Sequence, residues 1–139
     1  MPPSITPASP VPAVSRRRRG YILLVEDDPG VREGLSEIIA NEGYRVVSCA
    51  DGQMAMNRLA SGGELPRMIV LDFGMPHMDG WEFLAERKKD ARLRRIPVLG
   101  MSASQHFVDH SRPPEEVEEL LKKPFPVEDI LRSIEKHWA

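Results

Sequence analysis

Five polar residues stand at the ends of short apolar runs, and together they have the types that phosphoryl transfer requires. They are Glu26, Asp27, Asp72, Ser102 and Lys123. Carboxylates brought close together repel one another, and a hard cation such as Mg²⁺, which prefers oxygen ligands, relieves that repulsion. A hydroxyl and an ammonium group can then meet the remaining oxygens of a phosphoryl group. The set predicts a site in which the Asp72 carboxylate is the nucleophile and forms an acyl phosphate.

Each of these residues also has an ordinary structural explanation. An aspartate after a strand is often a turn residue or a helix cap, and a cap is the role that we expect for Asp28. A serine at the end of a strand usually bonds the backbone, and Lys123 is one of two neighbouring lysines. The prediction of a phosphoryl-transfer site therefore depends on whether the fold brings the whole set to one place.

Strand patterns alternate with helix patterns along the chain. Four apolar runs predict strands: Tyr21–Val25, Arg45–Ala50, Arg67–Leu71 and Ile96–Met101. Helices are predicted to begin after Asp28, after Asp51, at Asp79, where Glu82 can complete a capping box, and at Pro126. This alternation is typical of an α/β fold with a doubly wound parallel sheet. Ligands of such sheets bind at the carboxyl ends of the strands, where the polar set falls.

The segment between Ser102 and Lys123 is ambiguous. A Pro-Pro pair at 113–114 interrupts any helix that begins earlier in the segment. Three apolar residues that follow have helical spacing: Val117, Leu120 and Leu121. A short fifth strand ending at Lys123 would suit the architecture better, and the local pattern leaves both possibilities open.

Residues 1–18 differ in composition from the rest of the chain. They hold five prolines among small residues, contain no acidic residue and run into the basic stretch Arg16–Arg19. Such a segment buries too little apolar surface to offset its ordering entropy, so we expect a disordered, Pro-rich, basic tail before a domain of residues 19–139. The simplest explanation of Arg16–Arg19 is a solvated linker, and contact with nucleic acid or an acidic partner is the alternative.

Length and composition exclude several classes of protein. A chain of 139 residues with 41% hydrophobic residues suits one domain with an ordinary core. Its single cysteine, Cys49, excludes an internal disulfide framework and fits a reducing compartment. The longest apolar runs are far shorter than the ~18 residues of a membrane span, and the first residues lack the apolar core of a signal peptide. These features predict a cytoplasmic protein.

The motifs taken together resemble the receiver domain of bacterial two-component response regulators. The matching segments are ILLVEDD at the first strand, MIVLDFGMPHMDGWEFL around Asp72, IPVLGMSA at the fourth strand and KKPF around Lys123. The resemblance runs from about Arg19 to Trp138 and is to stand-alone receivers of the chemotaxis-regulator type. It implies a flavodoxin-like sheet of five parallel strands in the order 2-1-3-4-5.

The resemblance implies a role for each catalytic position. Asp72 would accept phosphate from the phosphohistidine of a sensor histidine kinase or phosphotransfer protein. Ser102 would sense the phosphoryl group, and Lys123 would pair with it, ahead of a cis bond to Pro124. The protein would act by contact with a downstream protein target, as a monomer or weak dimer, without a DNA-binding domain or membrane segment. It would catalyse only its own phosphotransfer and dephosphorylation.

The resemblance also implies a Mg²⁺ site. Glu26 and Asp27 match the acidic pair that holds the metal, with Asp27 as the more direct ligand. Asp72 and the backbone carbonyl of Gly74 would complete the protein ligands. A shift of the pair by one residue, to Asp27 and Asp28, is the alternative, but the VRE spacing that follows favours Glu26 and Asp27.

Three departures from the family pattern affect these expectations. Leu120 stands where the family's switch usually has an aromatic residue. The usual Gly-Ala turn before the fifth strand is absent and two prolines stand nearby, so the helix between strands four and five (helix four) is expected to be shortened. Gly74 has the smallest possible side chain beside the acyl phosphate, which predicts easy water access and a short-lived phosphorylated state.

Rival functions fit the sequence less well. The triplet Asp72-Phe73-Gly74 also occurs in protein kinases, but the chain is too short for a kinase and lacks its other motifs. A phosphatase of the haloacid dehalogenase type would need a second acid two residues after its nucleophile, but this chain has Gly74 at that position and so lacks the general acid. The remaining alternatives are a receiver-like interaction module that does not use phosphorylation, and a receiver fragment of a larger hybrid kinase or regulator.

Overall fold

The computed structural model describes residues 19–103 and 116–138, which contain one five-stranded parallel sheet with the order β2-β1-β3-β4-β5. The strands are β1 (Tyr21–Val25), β2 (Arg45–Cys49), β3 (Met68–Asp72), β4 (Val98–Ser102) and β5 (Glu119–Lys122). The helices are α1 (Pro29–Asn41), α2 (Gly52–Ala60), α3 (Gly80–Lys88), α4 (Ala91–Arg94) and α5 (Val127–His137). The predicted flavodoxin-like strand order is confirmed.

Acidic side chains fix where the first three helices begin. Asp28 caps α1 by accepting hydrogen bonds from two backbone N–H groups of the first turn, and Asp51 caps α2 by accepting one, from Met54. Asp79 and Glu82 form the predicted capping box at the start of α3. These contacts satisfy donors that have no partner within the helix, so Asp28 and Asp79 have the structural roles expected of them.

Helices cover both faces of the sheet. Helices α1 and α5 pack on one face around Ile39 and Ile134, and the other three helices pack on the opposite face around Leu59, Phe83 and Leu93. Every residue of β1 and β3 is buried, and each buried aliphatic side chain stabilises the fold by about 1.5–3 kcal/mol. The two strands that lead into Glu26 and Asp72 therefore lie in the buried centre of the molecule.

The structure corrects several details. Strands β3 and β4 each extend one residue further than expected and include Asp72 and Ser102 as their last residues. The helical alternative before Lys123 is wrong for its final residues, because β5 pairs along the edge of β4. The short helix α4, capped by Asp90, was not predicted.

Two expectations lie outside the described residues, namely the tail of residues 1–18 and the shortened helix between β4 and β5. Among the described residues, no helix is long and apolar enough to cross a membrane.

Candidate functional site

The central strands deliver two carboxylates to the same edge of the sheet. Val25 pairs with Leu71 in the parallel register of β1 and β3, so the residues that follow them, Glu26 and Asp72, lie at neighbouring strand ends. Both side chains are almost completely buried, with 1% and 2% of the residue surface exposed. Buried carboxylates need charged or hydrogen-bonding partners, which makes this edge a candidate site.

A third carboxylate completes an acidic cluster. Oxygen atoms of Glu26, Asp27 and Asp72 all lie within 4.8 Å of one another. Mg²⁺ takes oxygen ligands and keeps several of its waters. The three carboxylates supply such ligands, and Asp27, which is only partly buried, leaves access for water. The residues present therefore fit the expected metal.

Lys123 reaches the cluster from the end of β5. Its Nζ atom lies 3.3 Å from Asp72 Oδ1 and 3.4 Å from Glu26 Oε1, and 30% of its side chain is exposed. Burial alone would lower the pKa of this lysine, but the negative charges of Asp72 and Glu26 outweigh burial and raise it. Lys123 is therefore a fixed cation beside the Asp72 carboxylate.

The lysine does not balance the negative charge around Glu26. Burial, followed by the charge of Asp72, raises the pKa of Glu26 to about 7, although hydrogen bonding from Asp28 and the charge of Lys123 act in the opposite direction. The carboxyl consequently holds a proton through much of the acidic range. The part of this rise in pKa that comes from the Asp72 charge reflects a local negative field, and such a field would also favour a divalent cation.

Ser102 lies at the same edge as the last residue of β4. Its strand neighbour Met101 pairs with Asp72, and the serine is fully buried. Its hydroxyl donates a hydrogen bond to the carbonyl of Ala103 at 2.7 Å, and its own carbonyl accepts one from the backbone N–H of Lys123 at 2.7 Å. The backbone thus ties Ser102 to the lysine.

Gly74 lies two residues beyond Asp72 in the exposed loop before α3. Its backbone N–H donates to Asp72 Oδ1 at 3.3 Å, which holds the loop against the carboxylate. The proposed contact of its carbonyl with a metal stays a prediction. The expected cis bond between Lys123 and Pro124 is confirmed.

Hydrogen bonds around α1 decide between the two possible acidic pairs. Asp28 Oδ1 is engaged by the backbone N–H groups of Gly30 and Val31 at 2.9 and 3.1 Å. Its own N–H donates to Glu26 Oε2 at 3.1 Å. Asp28 is absent from the acidic cluster found among the described residues, so the geometry favours Glu26 and Asp27 as the pair.

Arg32 supports the site and was missed in the sequence. Its Nη1 group donates to the backbone carbonyls of Glu26 at 3.0 Å and Asp27 at 3.4 Å. The contact clamps the loop that presents the two acids. The only signal in the sequence was a basic residue one turn after the cap of α1, and such a residue is ordinarily a solvated side chain.

Close packing fixes the loop after Asp72. The Phe73 and Trp81 rings make an edge contact with their centres 5.4 Å apart. A Cβ atom on Gly80 would lie 2.6 Å from the Phe73 ring and 2.9 Å from its Cα atom, so only glycine fits there. His77 in this loop has a φ of 67°, a left-handed conformation that costs energy for a residue with a side chain.

Comparisons with known proteins agree with this geometry. The family model for the response regulator receiver domain matches residues 22–135. The probable methanogenesis regulatory protein FilR2 of Methanothrix harundinacea is 36% identical over 122 residues, which cover 83% of this chain and 79% of that protein. The two-component response regulator ORR5 of Oryza sativa subsp. japonica is 33% identical over 120 residues, which cover 86% of this chain and 89% of that protein.

Solved structures give the same result. One similar structure is the receiver domain of the sensor histidine kinase PA1611 from Pseudomonas aeruginosa, which has a magnesium ion coordinated in its active-site cleft. Its sequence is 27% identical to this chain, the TM-score is 0.75, and the match covers 86% of this chain and 96% of that chain. The response regulator TrrA from Thermotoga maritima, in complex with Mg²⁺-BeF, is 25% identical, with a TM-score of 0.72 and coverage of 85% and 98%. The chain therefore belongs to the family of response regulator receiver domains of two-component signalling.

Proposed function

We propose that this protein is a phosphoacceptor that receives a phosphoryl group on Asp72 from the phosphohistidine of a histidine kinase or phosphotransfer protein. The observation that carries the proposal is the convergence of Glu26, Asp27 and Lys123 on the buried Asp72 carboxylate. A carboxylate needed only for a turn would not require three further buried or half-buried charges around it.

The reaction follows from the positions of these groups. An oxygen of Asp72 attacks phosphorus as the phosphorus–nitrogen bond of the phosphohistidine breaks, and the electron pair of that bond stays on the imidazole. Lys123 remains beside the attacking carboxylate and pairs with the phosphoryl oxygens. Glu26, Asp27 and Asp72 would hold Mg²⁺, which when bound supplies neutralisation of phosphoryl charge.

Ser102 would couple phosphorylation to a change of shape. Its hydroxyl is held by the Ala103 carbonyl at 2.7 Å, and an acyl phosphate on Asp72 offers it a stronger, charged acceptor. Exchange of one acceptor for the other would move the end of β4 and the segment that follows. That movement would bias two states of the surface that a downstream protein recognises.

Incubation with Mg²⁺ and acetyl phosphate, followed by intact mass measurement, tests the proposal. We expect one phosphoryl addition in the wild-type protein, none in Asp72→Asn, and none when EDTA replaces Mg²⁺. The matched control is Asp28→Asn, because Asn caps a helix about as well as Asp and Asp28 is not in the acidic cluster. An unmodified wild-type protein would contradict the proposal and favour an interaction module that does not use phosphorylation.

A further inference from the structure

The loop between β1 and α1 presents two neighbouring carboxylates on the same side of the chain. Glu26 and Asp27 follow Val25, the last residue of β1, and oxygen atoms of both side chains lie within 4.8 Å of an oxygen atom of Asp72. Side chains of successive residues in an extended strand point to opposite faces. The backbone therefore leaves the strand conformation at these two acids, and something must stabilise the change.

The same change of direction brings two successive carbonyl groups to one nitrogen atom. Arg32 Nη1 donates to the carbonyl of Glu26 at 3.0 Å and to that of Asp27 at 3.4 Å. Successive carbonyls of a strand point in opposite directions, and carbonyl oxygens that face the same way repel one another. A charged donor between them offsets that repulsion. Arg32 therefore stabilises the backbone conformation that brings the two carboxylates together.

Other hydrogen bonds fix the two ends of this loop. The N–H group of Glu26 donates to the carbonyl of Cys49 at the end of β2 at 3.1 Å, and the carbonyl of Asp28 accepts from the N–H group of Arg32 at 2.8 Å. The N–H group of Asp28 donates to Glu26 Oε2 at 3.1 Å. The guanidinium group of Arg32 thus holds the part of the loop that lies between two anchored ends.

Arg32 holds the loop without neutralising its acids. Within the described part of the chain, no ion pair joins the Arg32 guanidinium to a carboxylate. An arginine close to acidic side chains commonly forms bidentate pairs with them, and such pairs would occupy the oxygens that a metal ion needs. Because Arg32 bonds the backbone instead, the carboxylate oxygens of Glu26 and Asp27 are left for other partners.

We propose that Arg32 is a positioning residue that sets the affinity of the acidic cluster for Mg²⁺. The inference rests on the proposed function, in which Glu26, Asp27 and Asp72 would hold the metal. Removal of a group that orients metal ligands typically weakens metal binding by about 10- to 100-fold. Loss of a positive charge beside a cation site would, by electrostatics alone, strengthen cation binding. The direction of the change therefore separates positioning from a simple effect of charge.

Isothermal titration calorimetry with MgCl₂ on the full chain tests the proposal. We expect Arg32→Gln to bind Mg²⁺ at least about tenfold more weakly than the wild type. Arg32→Lys keeps the charge on a stem that is one bond shorter, so it should bind about two- to fivefold more weakly. The matched control is Arg132→Gln, which removes the same charge from an exposed side chain that pairs with Asp129 within α5. It should stay within about twofold of the wild type.

Phosphorylation by acetyl phosphate gives a second measurement. At limiting Mg²⁺ the Arg32→Gln protein should be phosphorylated more slowly than the wild type, and at saturating Mg²⁺ its rate should return to within about threefold. A rate that stays low at saturating Mg²⁺ would overturn the proposal, because Arg32 would then act in the transfer itself.

Calorimetry also keeps this inference separate from the proposed function. Equal or tighter Mg²⁺ binding by Arg32→Gln would overturn the inference alone, as would an equal loss in Arg132→Gln or a wild-type protein that takes up no Mg²⁺. A selective loss in Arg32→Gln would support it even with a wild-type protein that acetyl phosphate does not modify. Urea denaturation in EDTA checks that each variant is folded. If Arg32→Gln is unfolded, Arg32→Lys decides, and wild-type affinity in that variant would overturn the inference.

Discussion

At the scale of single residues, the site is defined by an excess of carboxylates over cations. Glu26 and Asp72 are buried, Asp27 adds a third negative charge, and Lys123 is the cation that contacts the first two. The fold holds these like charges together even though they repel one another. Stability and metal binding should therefore be linked through the same residues.

The raised pKa of Glu26 predicts how stability depends on pH without metal. The folded carboxyl has a pKa of about 7 against 4.5 for an ordinary glutamate, so between these values the folded state holds a proton that the unfolded state lacks. The free energy of unfolding should therefore fall as pH rises through this window, by on the order of 1–3 kcal/mol. Urea denaturation at a series of pH values in the presence of EDTA measures this change. In the Glu26→Gln variant the free energy of unfolding should depend less on pH over the same window. Equal pH dependence in both proteins would contradict the assignment to Glu26.

Gly74 predicts the lifetime of the phosphorylated state. The residue is exposed next to Asp72 and is not among the glycines with positive φ, so its backbone tolerates a side chain. Gly74→Met should shield the acyl phosphate from water and lengthen its half-life by about tenfold, which corresponds to about 1.4 kcal/mol in the barrier to hydrolysis. The half-life is measured by following the loss of the phosphorylated species by intact mass after the phosphodonor is removed. A Gly74→Met protein with the same half-life as the wild type would contradict the prediction.

At the scale of elements, close approach between α3 and the end of β3 fixes the loop of the site. Gly80→Ala would force a Cβ atom against Phe73, and overpacking of this kind costs about 1–3 kcal/mol. Gly34→Ala in α1 is the matched control, because nothing lies within 4 Å of its Cβ position and alanine favours a helix by about 0.5–1 kcal/mol. Thermal unfolding should show opposite shifts for the two variants. A Gly80→Ala protein as stable as the wild type would contradict the packing argument.

The sequence predicted the strand order, the caps at Asp28 and Asp79 and the residues that gather around Asp72, because each depends on local pattern or on a motif. It could not decide whether the segment before Lys123 is a strand, since Val117, Leu120 and Leu121 also have helical spacing. Pairing of β5 with β4 decides that point. The clamp by Arg32 and the raised pKa of Glu26 depend on distances across the fold that no local pattern contains.

At the scale of the whole molecule, Mg²⁺ should stabilise the folded chain. The three carboxylates converge only in the folded state, and a ligand that binds that state alone raises the free energy of unfolding. We expect a gain of about 1–3 kcal/mol at saturating Mg²⁺, measured by urea denaturation with and without EDTA. Asp27→Asn should reduce the gain and Asp28→Asn should leave it. A gain that is equal in both variants would argue against the acidic cluster as the metal site.

Mapping of the phosphorylated residue tests the central claim most directly. Borohydride reduces an acyl phosphate on aspartate to homoserine, so phosphorylated protein treated in this way and digested reports the acceptor by mass spectrometry. We predict homoserine at position 72 after incubation with Mg²⁺ and a histidine-phosphorylated donor, and unmodified aspartate in the sample without Mg²⁺. Homoserine at another acidic position, or aspartate at position 72 in a protein whose mass shows phosphate, would contradict the assignment of Asp72 as the phosphoacceptor.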